Sequence, residues 1–171
     1  VFAATQLRTG GRVAIKFLSH GPSTDAEIRR RFHDEARILT TLKHPHIVTT
    51  LEHSITTKDE QFLVMELIEG VGLSYLIDLQ NEVMQKNRIR MMVELGESIE
   101  YFHRQNWIHR DICPRNVMLD RQYSIKLIDF GLVVPNTAVF QQPGNRTGTA
   151  NYMAPELIKR QKTDQRLDIF S

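Results

Sequence analysis

The sequence predicts an α+β fold, with strands and one long helix in its first part and helices broken by small hairpins in the rest. Three observations carry that reading. Short runs rich in β-branched and large apolar residues cluster before residue 68, a stretch with helical periodicity runs over residues 86–104, and the two kinds of segment do not alternate along the chain. With 171 residues, 41% hydrophobic and 25% charged, the composition is that of a globular chain rather than a disordered one.

VFAATQLRTGGRVAIKFL, residues 1–18, reads as two strands joined by a turn at Thr9-Gly10-Gly11, because Gly-Gly supplies the positive φ a tight hairpin needs. These glycines make a turn, not a phosphate loop. Thr24 with Glu27 forms a capping box, and Ile28, Phe32, Arg37, Ile38 and Leu39 continue a helix that ends near LKHP. HIVTTLEHSI and QFLVMEL read as strands separated by the polar TTKDE, and Gly70 and Gly72 mark a break after them. Ile89, Met92, Val93, Gly96, Ile99, Phe102 and His103 recur at helical spacing, which predicts a helix with that face buried. VMLD and SIKLID read as a second pair of short strands, and Pro135 to Arg146 as loop.

Lys plus Arg number 22 against 20 Asp plus Glu, and a net charge of +2 argues against a nucleic-acid partner. The single cysteine, Cys113, rules out an internal disulfide and a cysteine metal cluster, which suits a reducing compartment and a cytoplasmic location. No apolar run approaches the roughly 18 residues of a membrane span. Because the sequence opens without Met and stops at LDIFS, it is expected to be part of a longer chain.

Four motifs carry chemistry: VAIK (Val13–Lys16), HRDICPRN (His109–Asn116), IDFG (Ile128–Gly131) and GTANYMAPE (Gly148–Glu156). A strand lysine in V-A-I-K, H-R-D with Asn five residues after the Asp, D-F-G and A-P-E form a signature when they occur in this order. The chain therefore resembles the eukaryotic-like (Hanks-type) serine/threonine protein kinase family along its whole length. The resemblance implies a two-lobed protein-kinase-like fold, with a partial N-lobe at residues 1–68 and a partial C-lobe at 69–171. The family's glycine-rich loop would precede Val1 and its late helices would follow Ser171, so residues 1–171 alone are expected to be nearly inactive. It further implies ATP-dependent transfer of the γ-phosphoryl group to Ser/Thr hydroxyls of a protein substrate, with ATP and Mg²⁺ as cofactors.

By the same resemblance, Lys16 holds the α- and β-phosphates and is oriented by Glu35, preferred to Asp34 because it stands four residues before Leu39 on one helix face. Asp129 and Asn116 match the Mg²⁺ ligands, Asp111 the group that takes the acceptor hydroxyl's proton, and Thr149 a threonine bonded to that Asp. Val1 and Ala14 would lie above the adenine ring, Met118 below it and Met65 behind it, with the backbone of Glu66 and Ile68 at its polar edge. His109 is read as structural beside Phe130, and the HPH stretch, His44 to His46, as a loop rather than a metal site. Arg110 suggests control by phosphorylation, with Thr147 and then Thr137 as candidate acceptors.

Two residues depart from the pattern. Cys113 stands where most serine/threonine members have a lysine, and Arg115 where an acid is usual, so Arg115 is expected to reach the transferring phosphate in that lysine's place. Certain tyrosine-specific members carry this arginine, and Cys113 lends weight to a pseudokinase scaffold; a small-molecule phosphotransferase is a further alternative. Thr149, Pro114 and GTANYMAPE favour serine/threonine transfer to protein, and the intact Lys16, Asp111, Asn116 and Asp129 favour catalysis.

Overall fold

The computed structural model describes residues 1–17, 26–56, 60–139, 141 and 147–171. Strands β1 (Phe2–Thr5) and β2 (Arg12–Phe17) form the expected hairpin. Gly10 closes it at φ +72°, with its N–H and the Gln6 N–H each making a 2.8 Å bond across the turn. Strands β3 (Thr50–Ile55) and β4 (Gln61–Glu66) complete an antiparallel sheet in the order β1-β2-β4-β3. Its register sets Ala14 opposite Met65 and Lys16 opposite Leu63, so all four side chains share one face.

Helix α1 (Ala26–Thr41) packs beside β3 and buries Phe32, Glu35, Ala36 and Leu39, an i, i+3, i+4 stripe, with Leu42 buried just past its end. The Thr24–Glu27 capping box lies outside the described residues. Past residue 68, β5 (Gly70–Gly72), β7 (Val117–Asp120) and β8 (Ile125–Leu127) form a second antiparallel sheet in the order β5-β7-β8. Gly70 and Gly72 thus lie in a strand instead of a break. Gly70 is there because a Cβ at that position would collide with the Leu119 carbonyl.

Helix α2 (Leu73–Asp78) leads into α3 (Glu82–Arg104), which Asn81 caps by accepting the Met84 N–H at 2.8 Å. The face of α3 differs from the expected one. Ile89, Met92, Val93 and Gly96 are exposed, while Met91, Ser98, Ile99 and Phe102 are buried. This helix carries apolar residues on two sides, and tertiary contact decides which side is covered.

The two sheets are tied together where Ile47 bridges Leu127; Val48 N–H donates to the Leu127 carbonyl and Leu127 N–H to the His46 carbonyl, each at 2.9 Å. Beneath that join Phe32, Leu39, Ile47, Leu63, Phe102, Leu127 and Phe130 form one continuous core. Burying side chains of this size stabilises the fold by about 1.5–3 kcal/mol each. β6 (Trp107–Ile108) pairs with β9 (Val134–Pro135), so Pro135 belongs to a strand and not to the expected loop, of which residues 140 and 142–146 are outside the description. Helices α4 (Pro155–Ile158) and α5 (Arg166–Phe170) end the chain. Among the described residues no helix is long and apolar enough to cross a membrane.

Candidate active site

Alternation along β2 turns Lys16 to the face shared with Leu63, and the stripe of α1 turns Glu35 toward it. The Lys16 ammonium donates to both Glu35 oxygens, at 2.7 and 3.0 Å, and to Asp129 Oδ1 at 3.2 Å. Asp34 instead faces Arg30 at 3.6 Å, one turn away on the same helix. Glu35 is 4% exposed, so its charge depends on Lys16. Burial pulls the Lys16 pKa down, but Glu35 and Asp129 outweigh it and the net shift is upward, keeping the ammonium charged. Burial likewise pushes Asp129 up, and Lys16 beside it overcomes this, so the carboxyl titrates below its ordinary value.

Asp111 sits in a loop whose backbone is strained: Arg110 holds φ +69°. That conformation is fixed from below by Asp168 on α5, whose carboxylate accepts the His109 and Arg110 N–H groups at 2.8 Å each. His103 Nε2 lies 2.8 Å from the same carboxylate. Asp168 is a positioning residue that the motifs did not single out; the signal was an acid inside the apolar run LDIF. Above the loop, Thr149 donates to Asp111 Oδ1 twice, from its N–H and its hydroxyl, both at 2.7 Å. Asn116 Nδ2 donates to Asp111 Oδ2 and to the Asp111 carbonyl at 2.8 Å each. Gly148 makes this docking possible, since a Cβ there would lie 2.6 Å from the Arg110 carbonyl and its φ is +120°.

Arg115 lies in the short 3-10 turn Pro114–Asn116, exposed, and donates to the Thr149 hydroxyl at 2.8 Å. Cys113 is buried beneath, its Sγ 3.5 Å from the same hydroxyl. Thr149 thereby joins Arg115 to Asp111. His109 is buried against Phe130, ring centroids 4.9 Å apart, and burial depresses its pKa below the ordinary imidazole value. His44 stacks on Tyr101 at 5.0 Å, and His46 Nδ1 faces the Ile125 carbonyl at 3.3 Å.

Met65 is buried beside Ala14, while Ile68 and Met118 are partly buried and Val1 is exposed. The Glu66 carboxylate is held by Lys126 at 2.7 Å and by the Thr49 N–H at 2.8 Å. The Ile68 amide and carbonyl make no backbone hydrogen bond among the described residues. Thr147 and the arginines 30, 37 and 110 line a cavity of about 480 Å³ between α1 and the segment after Gly131. The Thr147 hydroxyl is buried there without a hydrogen-bond partner among the described residues, and Thr137 is exposed.

The donor set suits Mg²⁺. Asp129 offers a carboxylate kept ionised by Lys16, and Asn116, with its NH₂ turned to Asp111, has its amide oxygen left to bind. One carboxylate and one amide oxygen on separate loops are what a largely hydrated Mg²⁺ takes from a protein.

The family model described as protein kinase domain matches residues 1–171. The chain belongs to the protein kinase domain family. It is 33% identical to a probable serine/threonine-protein kinase of Streptomyces coelicolor over its full length, covering 26% of that protein. It is 30% identical to the serine/threonine-protein kinase PknA of Mycobacterium tuberculosis, again over its full length and 41% of that chain. To an SNF1-related protein kinase catalytic subunit of Arabidopsis thaliana it is 33% identical over 98% of its length and 34% of the relative's. The chain thus spans between about a quarter and two fifths of the lengths of these relatives.

Proposed function

We propose that the chain is the catalytic part of a kinase that transfers the γ-phosphoryl group of ATP to serine or threonine hydroxyls of protein substrates, with residues 1–68 and 69–171 as its two lobes. The observation that carries the reading is Lys16 bonded at once to Glu35 and Asp129, residues from α1 and from the loop after β8. Three groups so far apart in sequence make an ammonium beside a Mg²⁺-binding carboxylate, which is the arrangement phosphoryl transfer requires.

In this reading Val1, Ala14, Met65 and Met118 enclose the adenine ring, and the unengaged Ile68 backbone, with that of Glu66, meets its polar edge. Lys16 binds the α- and β-phosphates. Asp129 and Asn116 would hold Mg²⁺, which would supply positive charge against the phosphates. Asp111, fixed by Thr149 and Asn116, accepts the proton of the attacking hydroxyl. Arg115 supplies positive charge toward the transferring phosphate from the acceptor side, where Cys113 has none. Phosphorylation of Thr147 would set a dianion among Arg30, Arg37 and Arg110, with Asp34 in the same cavity opposing it. The lone free cysteine suits a cytoplasmic setting.

The test is transfer of labelled phosphate from ATP by the full-length protein to a mixed peptide library, followed by phosphoamino-acid analysis. Label on serine and threonine, absent in Asp129→Ala, supports the reading. Label on tyrosine alone, or no transfer beyond that of Asp129→Ala, contradicts it.

A further inference from the structure

We infer that Arg115 selects protein substrates carrying an acidic side chain one or two residues from the acceptor hydroxyl. The inference rests on the kinase reading and names its substrate class. Arg115 is exposed, yet its head is anchored: one N–H is spent on the Thr149 hydroxyl at 2.8 Å, and that hydroxyl donates to Asp111 at 2.7 Å. Among the described residues the guanidinium has this one hydrogen bond and no carboxylate in reach. A guanidinium has five N–H donors, so most of the fork remains open to an incoming group.

Geometry then fixes which part of a substrate meets it. The acceptor hydroxyl must come within about 2.6–3.2 Å of the Asp111 carboxylate to hand over its proton. Arg115 lies one hydroxyl beyond that carboxylate. An extended peptide advances about 3.3 Å per residue, so the side chain that reaches the fork belongs to the first or second neighbour of the acceptor. A carboxylate there can bind two guanidinium N–H groups at once, while a lysine or arginine is repelled. Asp111 opposes an acidic neighbour, but the Thr149 hydroxyl stands between that carboxylate and the fork, whereas Arg115 would touch the incoming carboxylate directly. Cys113, buried beneath and without a cationic group, adds nothing to this selection.

The experiment measures kcat/KM for three serine peptides that differ only in the residues flanking the acceptor: glutamate, glutamine or arginine. The full-length protein, Arg115→Gln and Arg115→Glu are compared. Wild type should favour the glutamate peptide over the glutamine peptide by about five-fold, the scale of one exposed ion pair, and over the arginine peptide by more. Arg115→Gln should level the three, and Arg115→Glu should invert the order. The wild-type preference should also shrink as NaCl is raised, a readout that needs no variant. A wild type indifferent to the flanking charge, or an order unchanged in Arg115→Glu, overturns the inference while leaving the kinase reading intact. Transfer to none of the three peptides by wild type would overturn both.

Discussion

Asp168 holds Arg110 in its left-handed conformation: a carboxylate from the last helix accepts the Arg110 N–H at 2.8 Å and the His109 N–H at the same distance. The strain next to Asp111 is therefore maintained by a residue 58 positions away. Asp168→Ala leaves one buried and one part-buried backbone donor, and His103, without their acceptor. We expect a loss of about 3–5 kcal/mol, read as a fall in Tm of roughly 10 °C or more. A fall of only a degree or two would show that the loop holds itself.

Lys16→Met strands the Glu35 carboxylate at 4% exposure and removes the ammonium proposed to hold the phosphates. It should lower kcat/KM for ATP by at least about 10². Glu35→Gln keeps a hydrogen-bonding group on Lys16 and should fall by less. Equal losses in the two variants would contradict an orienting role for Glu35.

His109 gives stability a pH dependence of defined sign. Burial depresses its pKa in the folded state below the ordinary 6.5, so the unfolded chain takes up a proton that the folded one refuses. The contribution is present above pH 6.5 and is lost as the pH falls below it, at about 1.4 kcal/mol per unit for one proton. Burial also depresses His44 and His53, so the test is a difference: His109→Phe should lose Tm between pH 7 and 5 less steeply than wild type. Parallel curves would remove His109 from the account.

Thr149→Val deletes the hydroxyl between Arg115 and Asp111 while the Thr149 N–H can still reach Asp111. One hydrogen bond to a charged group predicts a kcat lower by about 10- to 100-fold with ATP affinity unchanged, and Thr149→Ser should recover most of it. Failure of serine to rescue would mean that the methyl, not the hydroxyl, matters.

The order of the first four strands and the first helix and the hairpin turn at Gly10 were legible from local periodicity and turn chemistry, and the partnership of Lys16 with Glu35 from the resemblance to protein kinases. Asp168 was not, since what makes it important is a tertiary contact with a loop far upstream. The buried side of α3 escaped for a related reason: Ile89, Met92 and Val93 satisfy helical spacing as well as Met91 and Phe102 do, and tertiary contact with β6 and β8 chooses between them. Gly70 reads as a breaker until the Leu119 carbonyl appears beside it. Arg115 was recognised as an unusual charge, but its bond to Thr149 spans 34 residues and no local rule supplies it.

The central claim is a division of labour: Lys16 and Asp129 serve the nucleotide, and Asp111 serves the acceptor. Asp111→Asn in the full-length protein tests it through two numbers, kcat and the Kd for Mg²⁺-ATP. The account predicts kcat lower by about 10²–10⁴ with Kd unchanged within a few-fold, since the lost group acts on the proton in flight and not on the bound nucleotide. A normal kcat in Asp111→Asn, with the Asn side chain in place of the base, would contradict it.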